Sequence, residues 1–272
     1  MDLDGTLLDS GGNLPPQNVE TVAEAAKRGI AIVIVTGRRF DSARAIAGEL
    51  PCDVQLVVNN GALIKSKSGE TLYRKLLPVA TARHVLEATP EHRASAGVIF
   101  DRPLGKQVVF ERVDWEGSFV GPYLRRHRHH VAETAPLTDC LDVEDPVEIL
   151  FLGECAAMRR ILEKLEGLPI AQHYRLALTE YEERNLSMLD VLERSVSKGA
   201  ALADCAQRLG IAREDVMAIG DNWNDREMLE YAGLPIVMAT SVPQLKSAGW
   251  PVTLSNDECG VSHAIRTYVL RT

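Results

Sequence analysis

The run Ile30-Ala-Ile-Val-Ile-Val35 is continuously apolar and rich in β-branched side chains, and it passes directly into Thr36-Gly37-Arg38. A run of this kind predicts a strand buried on both faces, as in the parallel sheet of an α/β protein. The flanking sequence keeps the same rhythm. Apolar residues recur at helical spacing over residues 19–26 and again over 43–50, and residues 54–58 form a second β-branched run. The N-terminal part therefore predicts alternating strands and helices.

The C-terminal part returns to this alternation. A helical pattern over residues 200–209 precedes an apolar run at 216–219, and we expect further short strands near Ile236 and Val252. The alternation in both parts predicts an α/β fold whose core is a doubly wound, Rossmann-like parallel sheet with helices on both faces.

The middle of the chain has a different pattern, with short alternating strands and separate helices. The predicted strands lie at residues 107–113, 147–152 and 174–178, and the predicted helices lie near 120–130 and 156–166. We therefore expect an inserted α+β domain at residues 80–184, within a core made of residues 1–79 and 185–272.

Composition limits the classes of function. The chain has 272 residues, of which 46% are hydrophobic, so it is long enough for a well-buried core divided between two domains. Its formal net charge of -8 disfavours nucleic acid as a partner. No apolar stretch approaches the roughly 20 residues that cross a bilayer, so we expect no membrane partner. We expect a cytoplasmic protein, monomer or homodimer, that acts on a small molecule.

Two carboxylates stand two residues apart in Asp2-Leu-Asp4-Gly-Thr6. In an extended segment both side chains would lie on one face, which suits a shared cation. Phosphoryl transfer needs a nucleophile, a proton carrier for the leaving oxygen and positive charge around the transferred group. Asp2 can attack phosphorus, while Asp4 can protonate the leaving group and later activate water. The same short pattern also occurs in turns and calcium loops.

Further polar residues follow a predicted strand or open a predicted helix, where an open α/β sheet places its active site. Thr36, with the amides of Gly37 and Arg38, can bind phosphate oxygens, but it can also be a helix N-cap. Lys198 opens a helix, where the helix dipole disfavours a cation. It can neutralise Asp2 and a phosphate, or it can be an exposed surface lysine.

The loop Gly220-Asp221-Asn222-Trp223-Asn224-Asp225 clusters polar oxygen donors directly after a predicted strand. Oxygen-rich, sulphur-free ligation suits a hard ion that keeps several waters, namely Mg²⁺. Asp225 can also be the N-cap of the next helix, and the two roles are compatible.

Together these segments resemble the haloacid dehalogenase superfamily, and specifically the Cof-like phosphatases of type IIB, which carry a large cap between the second and third motifs. The resemblance spans nearly the whole chain and keeps the family's order of motifs. It is carried by Asp2-Leu-Asp4-Gly-Thr6, Thr36-Gly37-Arg38, Ser197-Lys198-Gly199 and the loop at 220–225.

The resemblance implies a role for each site residue. Asp2 would be the nucleophile and Asp4 the acid/base. Asp2, the backbone carbonyl of Asp4 and Asp221 would hold Mg²⁺, with Asp225 in support. The inserted segment would be the cap that closes over the substrate. The other implied residues are Thr36 and Lys198, which would grip the phosphoryl group as catalytic residues, and Gly5, Gly37, Arg38, Asn60, Gly61 and Asn224, which would bind phosphate or substrate.

The start of the chain departs from the family pattern. The family precedes its nucleophile with an apolar strand at the centre of the sheet, whereas only Met1 precedes Asp2 here. Removing that strand would leave buried backbone groups unpaired, at roughly 1 to 3 kcal/mol each. We therefore expect that the first core strand is absent from this sequence and that the natural N-terminus is longer.

The function that these features predict is Mg²⁺-dependent hydrolysis of a small phosphomonoester through an aspartyl-phosphate on Asp2. The substrate would be a small phosphorylated metabolite, such as a sugar phosphate or a phosphorylated cofactor. Two alternatives use the same residues: a phosphosugar mutase, and a non-catalytic protein that binds a phosphorylated ligand.

Overall fold

The computed structural model describes residues 1–102, 105–115, 125 and 128–271, and the chain forms two compact units. The core unit consists of Met1–Arg74 and Ser197–Thr272, and the inserted unit is Lys75–Val196. The inserted unit contains the whole of the predicted insertion at 80–184, together with a strand that follows it in sequence. Among the helices of the described residues, none is both long enough and apolar enough to cross a membrane.

The strands and helices of the described residues are numbered in chain order. The strands are β1 (Val33–Val35), β2 (Gln55–Val58), β3 (Leu63–Ser66), β4 (Thr71–Arg74), β5 (Ala96–Ile99), β6 (Val108–Phe110), β7 (Val131–Glu133), β8 (Glu148–Gly153), β9 (Tyr174–Tyr181), β10 (Leu186–Glu193), β11 (Met217–Gly220) and β12 (Leu234–Val237). The helices are α1 (Pro16–Lys27), α2 (Phe40–Ala47), α3 (Val79–Ala88), α4 (Cys155–Glu166), α5 (Lys198–Leu209), α6 (Arg226–Tyr231), α7 (Pro243–Lys246) and α8 (Gly260–Ile265).

The core unit is an α/β structure, as predicted. β1 pairs in parallel with β2, and β11 pairs in parallel with β12. Buried side chains of α5 and α6 pack on these strands, with Cys205 and Met228 against Val35, Val57 and Ala218 among others. The predicted strand near Val252 is reduced to a single parallel bridge with Val237.

One part of the core sheet is antiparallel, which the βαβ rhythm did not predict. β3 runs antiparallel to β2, and β4 runs antiparallel to β3. The chain reverses directly after β2 because Asn59, Asn60 and Gly61 all have positive φ values, of 50°, 54° and 107°. With no crossover helix in this connection, β3 pairs directly beside β2 in the opposite direction.

The first two residues link the two parallel strand pairs. The Met1 amino group donates to the carbonyl of Val33 at 2.9 Å, and the Val35 amide donates to the carbonyl of Met1 at 2.9 Å. The Asp2 amide donates to the carbonyl of Ile219 at 3.0 Å. Asp2 is therefore held between the ends of β1 and β11. The predicted longer first strand stays a prediction.

The inserted unit is built on one sheet with the strand order β7-β6-β5-β8-β10-β9. Its apolar side chains alternate along the strands, and one face, which includes Val98, Ile149, Phe151 and Val191, packs in a common core with α3 and α4. Met158 and Ile161 of α4 belong to this core, which explains the apolar spacing that predicted a helix at 156–166. The helix predicted near 120–130 falls largely outside the described residues.

The turn at Asn59–Gly61 fits closely against the start of α5. A Cβ atom on Gly61 would lie 2.4 Å from the backbone oxygen of Ser197. Because Lys198 follows Ser197, the missing side chain of Gly61 allows the lysine's backbone to approach the ends of β1 and β2.

We predict that Gly61→Ala destabilises the protein by about 3 kcal/mol or more, because it combines a positive φ with a backbone clash. Gly12→Ala is the matched control, since Gly12 has a φ of 80° and a Cβ atom added there would meet no atom within 4 Å. The control should lose only about 1 to 2 kcal/mol. Urea unfolding of both variants measures the difference, and equal losses would contradict the packing role of Gly61.

Candidate active site

Lys198 is the buried cation of the core unit's polar cluster. It occupies the first position of α5, whose N-cap residue Ser197 accepts a hydrogen bond from the Ala200 amide at 3.0 Å. The ammonium donates to Asp2 Oδ1 at 2.8 Å and to Asp225 Oδ1 at 2.6 Å, and its side chain is 2% exposed. The alternative of an exposed surface lysine is therefore wrong. Two carboxylates offset the unfavourable helix dipole and the loss of hydration.

The pKa of Lys198 is raised above its ordinary value, although burial alone would lower it. The charges of Asp2 and Asp225 and the hydrogen bonds to both outweigh burial. The ammonium is therefore charged throughout the physiological pH range and supplies a fixed positive charge beside Asp2.

Asp225 uses both of its carboxylate oxygens within the protein. Oδ1 accepts from Lys198, while Oδ2 accepts from the amides of Asp221 at 3.0 Å and Asn222 at 3.1 Å. These bonds fix the backbone of the loop at 220–225 and orient the lysine at the same time. The carboxylate caps the short turn at Trp223–Asp225, and no side-chain cap bond joins it to α6.

Asp221 lies against the loop that follows Asp2. Thr6 Oγ1 donates to Asp221 Oδ1 at 2.7 Å. A Cβ atom on Gly5, whose φ is 76°, would lie 2.4 Å from Asp221 Oδ2. Glycine is therefore required at position 5 by its backbone conformation and by the close approach of this carboxylate.

Asp2, Asp221 and Asp225 form an acidic group whose possible ligand atoms lie within 4.8 Å of one another. Burial raises the pKa of Asp2 to about 7, with the Asp225 charge adding to the rise and Lys198 opposing it. Burial likewise raises the pKa of Asp221 to about 8, and the charges of Asp2 and Asp225 raise it further. Burial is the largest cause of both shifts, and the crowding of three carboxylates around a single lysine adds to it.

This excess of negative charge fits a hard divalent cation. The donors are carboxylate oxygens, which Mg²⁺ prefers. Asp2 and Asp221 each accept a hydrogen bond from a neighbouring side chain at Oδ1. Each carboxylate oxygen has two lone pairs, so both residues keep lone pairs for a metal. Asp225 is already engaged at both oxygens and is better suited to orient the group than to bind the ion directly.

The carboxylate of Asp4 points to a different partner from that of Asp2. Arg38 Nε donates to Asp4 Oδ2 at 2.7 Å, and a terminal guanidinium nitrogen of Arg38 donates to Asp4 Oδ1 at 2.6 Å. The pair is bidentate and partly exposed, with Asp4 37% and Arg38 31% exposed. The backbone is extended at Asp2 (φ -73°, ψ 170°) and has φ -76° and ψ 123° at Asp4, and the chain turns after both residues, at Gly5.

Thr36, Asn60 and Asn224 lie beside these carboxylates at the ends of neighbouring strands. Thr36 is buried, and its Oγ1 accepts from the Arg38 amide at 3.1 Å, so it closes a local turn and is not the N-cap of α2, which is Arg39. The Asn60 amide donates to the carbonyl of Thr36 at 3.1 Å. Asn224 Nδ2 contacts Asn60 Oδ1 at 3.4 Å, and a Cβ on Gly37 would lie 3.0 Å from the same oxygen.

The structure thus brings most of the predicted site residues together. Hydrogen bonds connect Lys198 to Asp2 and to Asp225, and Asp225 also accepts from the Asp221 amide. Asp4 and Arg38 form a separate hydrogen-bonded pair. Thr6 was quoted in the first motif but was not predicted as a site residue. Its signal was available, since it is a hydroxyl two positions beyond Asp4 in the same segment.

The fold and this cluster define an α/β enzyme core with acidic residues at the carboxyl ends of its strands. A family model described as haloacid dehalogenase-like hydrolase matches residues 1–265. The chain therefore belongs to the family of haloacid dehalogenase-like hydrolases, and the predicted resemblance is confirmed. It is a hydrolase.

Relatives agree with this assignment over nearly the full length of the chain. The chain is 30% identical over 252 residues to an HMP-PP phosphatase of Shigella boydii, covering 90% of this chain and 89% of the relative. It is 28% identical over 276 residues to the stress response protein YhaX of Bacillus subtilis, covering 98% and 91%. A haloacid dehalogenase-like hydrolase of Bacteroides thetaiotaomicron shares the fold, with a TM-score of 0.80, 24% identity and coverage of 98% and 97%.

We predict that Mg²⁺ stabilises the protein more at about pH 8.5 than at about pH 6. The pKa of Asp221 rises from 3.8 to about 8 on folding, so the folded state gains a proton there and the metal-free protein loses stability as the pH rises through that range. A metal ion that replaces one proton should gain up to about 1.4 kcal/mol per pH unit.

Thermal unfolding with and without Mg²⁺ at the two pH values measures this difference. Asp221→Asn is the matched control, because it removes one candidate ligand and the group whose pKa is raised to about 8, and it should reduce the pH-dependent part to what Asp2, with a pKa of about 7, contributes. Equal stabilisation by Mg²⁺ at both pH values would contradict the assignment.

Proposed function

We propose that this protein is a Mg²⁺-dependent phosphatase that hydrolyses small phosphomonoesters through an aspartyl-phosphate on Asp2. The observation that carries the proposal is the contact between the buried ammonium of Lys198 and Asp2 Oδ1, at 2.8 Å. A carboxylate held by a fixed cation, beside a second acid group and a cation-binding cluster, has the parts that phosphoryl transfer needs.

Asp2 is the group best placed to attack phosphorus. Lys198 holds Oδ1, so Oδ2 would form the new bond to phosphorus while the bond from phosphorus to the ester oxygen breaks. Fixing one oxygen orients the carboxylate for in-line attack without loss of rotational freedom at the moment of reaction. The ammonium of Lys198 lies close enough to offset the charge that gathers on the transferred group.

Asp4 is the candidate proton carrier, and Arg38 controls its orientation. It would protonate the departing ester oxygen, then take a proton from the water that cleaves the aspartyl-phosphate. In the structure Arg38 holds both oxygens of Asp4. Each of these oxygens keeps a second lone pair, so Asp4 can carry the transferred proton while Arg38 fixes its orientation.

The cation site completes the proposed machinery. Asp2 and Asp221 would hold Mg²⁺, together with the backbone carbonyl of Asp4, and Asp225 would orient the group. When bound, the ion would neutralise the excess of carboxylate charge and that of the phosphate. Thr36 and the amide of Gly37 would bind phosphoryl oxygens, and the Arg38 amide would join them on releasing Thr36 Oγ1. Gly5, Asn60, Gly61 and Asn224 would line the same region. The inserted unit would select the organic part of the substrate.

The first experiment compares Asp2→Asn with Asp4→Asn on 4-nitrophenyl phosphate, whose leaving group needs no proton. We expect Asp4→Asn to release up to one equivalent of nitrophenol in a burst and then to turn over about 10² to 10⁴ times more slowly than the unchanged protein. Asp2→Asn should give no burst, because no aspartyl-phosphate can form. Rapid-mixing absorbance measurements follow both phases.

The two variants serve as controls for each other, since each exchanges one carboxylate for an amide of the same shape. Release of nitrophenol by Asp2→Asn at the rate of the unchanged protein would exclude Asp2 as the nucleophile. A burst followed by normal turnover in Asp4→Asn would exclude Asp4 as the group that activates water.

A further inference from the structure

Trp223 is an exposed aromatic residue inside the loop that carries Asp221 and Asp225. It is 50% exposed, whereas tryptophan is on average among the more buried residues. Trp223 is two residues after Asp221, so the Cα atoms of the two residues are at most about 7.6 Å apart. An exposed indole is therefore carried by the same short loop as two residues of the proposed phosphate and cation site.

The loop holds the backbone of Trp223 in a fixed position. The Trp223 amide donates to Asn222 Oδ1 at 2.7 Å, and the Asn222 amide donates to Asp225 Oδ2 at 3.1 Å. The second bond is one half of a reciprocal capping box across the short turn at Trp223–Asp225, and in the other half the Asn222 side chain accepts from the Asp225 backbone. Because Asp225 is also bonded to the buried Lys198, the anchoring of Trp223 is continuous with the anchoring of the nucleophile.

The indole ring is also supported from within the core unit. The guanidinium of Arg226 lies 4.9 Å from the centre of the ring, and Arg226 Nε in turn donates to Glu230 Oε1 at 2.6 Å. A stacked cation of this kind restricts the ring's orientation. Half of the tryptophan remains exposed with Arg226 in place, so aromatic surface is available to a ligand.

We propose that Trp223 stacks on the organic part of the substrate, and that the preferred substrates are phosphomonoesters whose organic group carries a planar aromatic or heteroaromatic ring. This inference rests on the proposed function, because it places the phosphate of the ester at Asp2. The organic group begins where the phosphate ends, one bond from the reacting phosphorus, so a ring attached there lies within reach of an indole in this loop. An immobilised ring loses little entropy on stacking, which favours a flat partner over a puckered one.

The test compares benzyl phosphate with cyclohexylmethyl phosphate, which match in size, apolar character and leaving-group type but differ in planarity. We expect Trp223→Ala to raise the KM for benzyl phosphate about 3- to 10-fold and to change the KM for cyclohexylmethyl phosphate by less than about 2-fold. Trp223→Phe should keep most of the affinity for benzyl phosphate. Tyr268→Ala is the control for loss of an exposed aromatic residue elsewhere in the core unit, since Tyr268 is 39% exposed.

Tryptophan emission gives a second readout that needs no turnover. Adding benzyl phosphate and Mg²⁺ to Asp2→Asn should shift the emission to shorter wavelength, because the ligand shields an exposed indole from water. The double variant Asp2→Asn/Trp223→Phe should show no such shift, and cyclohexylmethyl phosphate should give a smaller one.

The outcomes separate this inference from the proposed function. Hydrolysis of neither ester, nor of any other phosphomonoester, would reject the phosphatase assignment, while the emission shift would still decide whether Trp223 meets an aromatic ligand. Equal changes in KM or in kcat for both esters in Trp223→Ala would show a general structural contact and overturn the aromatic preference. Unchanged kinetics and unchanged emission would overturn it as well.

Discussion

The charge of one buried ammonium organises the core unit. Removing a lysine from water is costly unless carboxylates surround it, and Lys198 lies at a helix N-terminus, where the helix dipole adds to the cost. Asp2, near the start of the chain, and Asp225, in the loop after β11, meet this requirement. The close packing of Gly61 against Ser197 and the bonded loop at 220–225 both follow from the need to bring these three groups together. The cluster is therefore a structural element of the core unit as well as a candidate reaction centre.

The positive and negative charges within the cluster do not cancel, and the excess of negative charge suits a cation site. Three crowded carboxylates face one lysine, so a proton at low pH or a metal cation at higher pH would reduce the excess of negative charge. Asp4 lies outside this competition because Arg38 balances its charge separately. Two acids that are two residues apart in sequence thus have different partners, which suits the different roles proposed for them.

The sequence predicted the location of the site better than the directions of its side chains. The rule that active sites lie at the carboxyl ends of parallel strands places Thr36, Asn60 and Asp221 at one edge of the core, and the structure has them there. The bidentate pair of Arg38 with Asp4 was not predictable, because the rotamer of an arginine depends on its tertiary neighbours. The antiparallel direction of β3 was not predictable either, because it depends on three consecutive positive φ values in the turn before the strand. β10 was missed because Asp190 interrupts its apolar pattern, although the residue is buried in the folded sheet.

The sequence separation between Asp2 and Lys198 also determines when the site can form during protein synthesis. The two residues are 196 positions apart, and the whole inserted unit is translated between them. A nascent chain that has emerged only through β10 contains Asp2, Asp4 and Arg38 but lacks the lysine and the second acidic loop. Without Lys198, no cation offsets the cost of burying the carboxylate of Asp2. The core unit can therefore complete its packing only after the C-terminal segment that begins at Ser197 has left the ribosome. The ribosome thus releases this enzyme with its reactive centre assembled late, after the inserted unit has had time to fold.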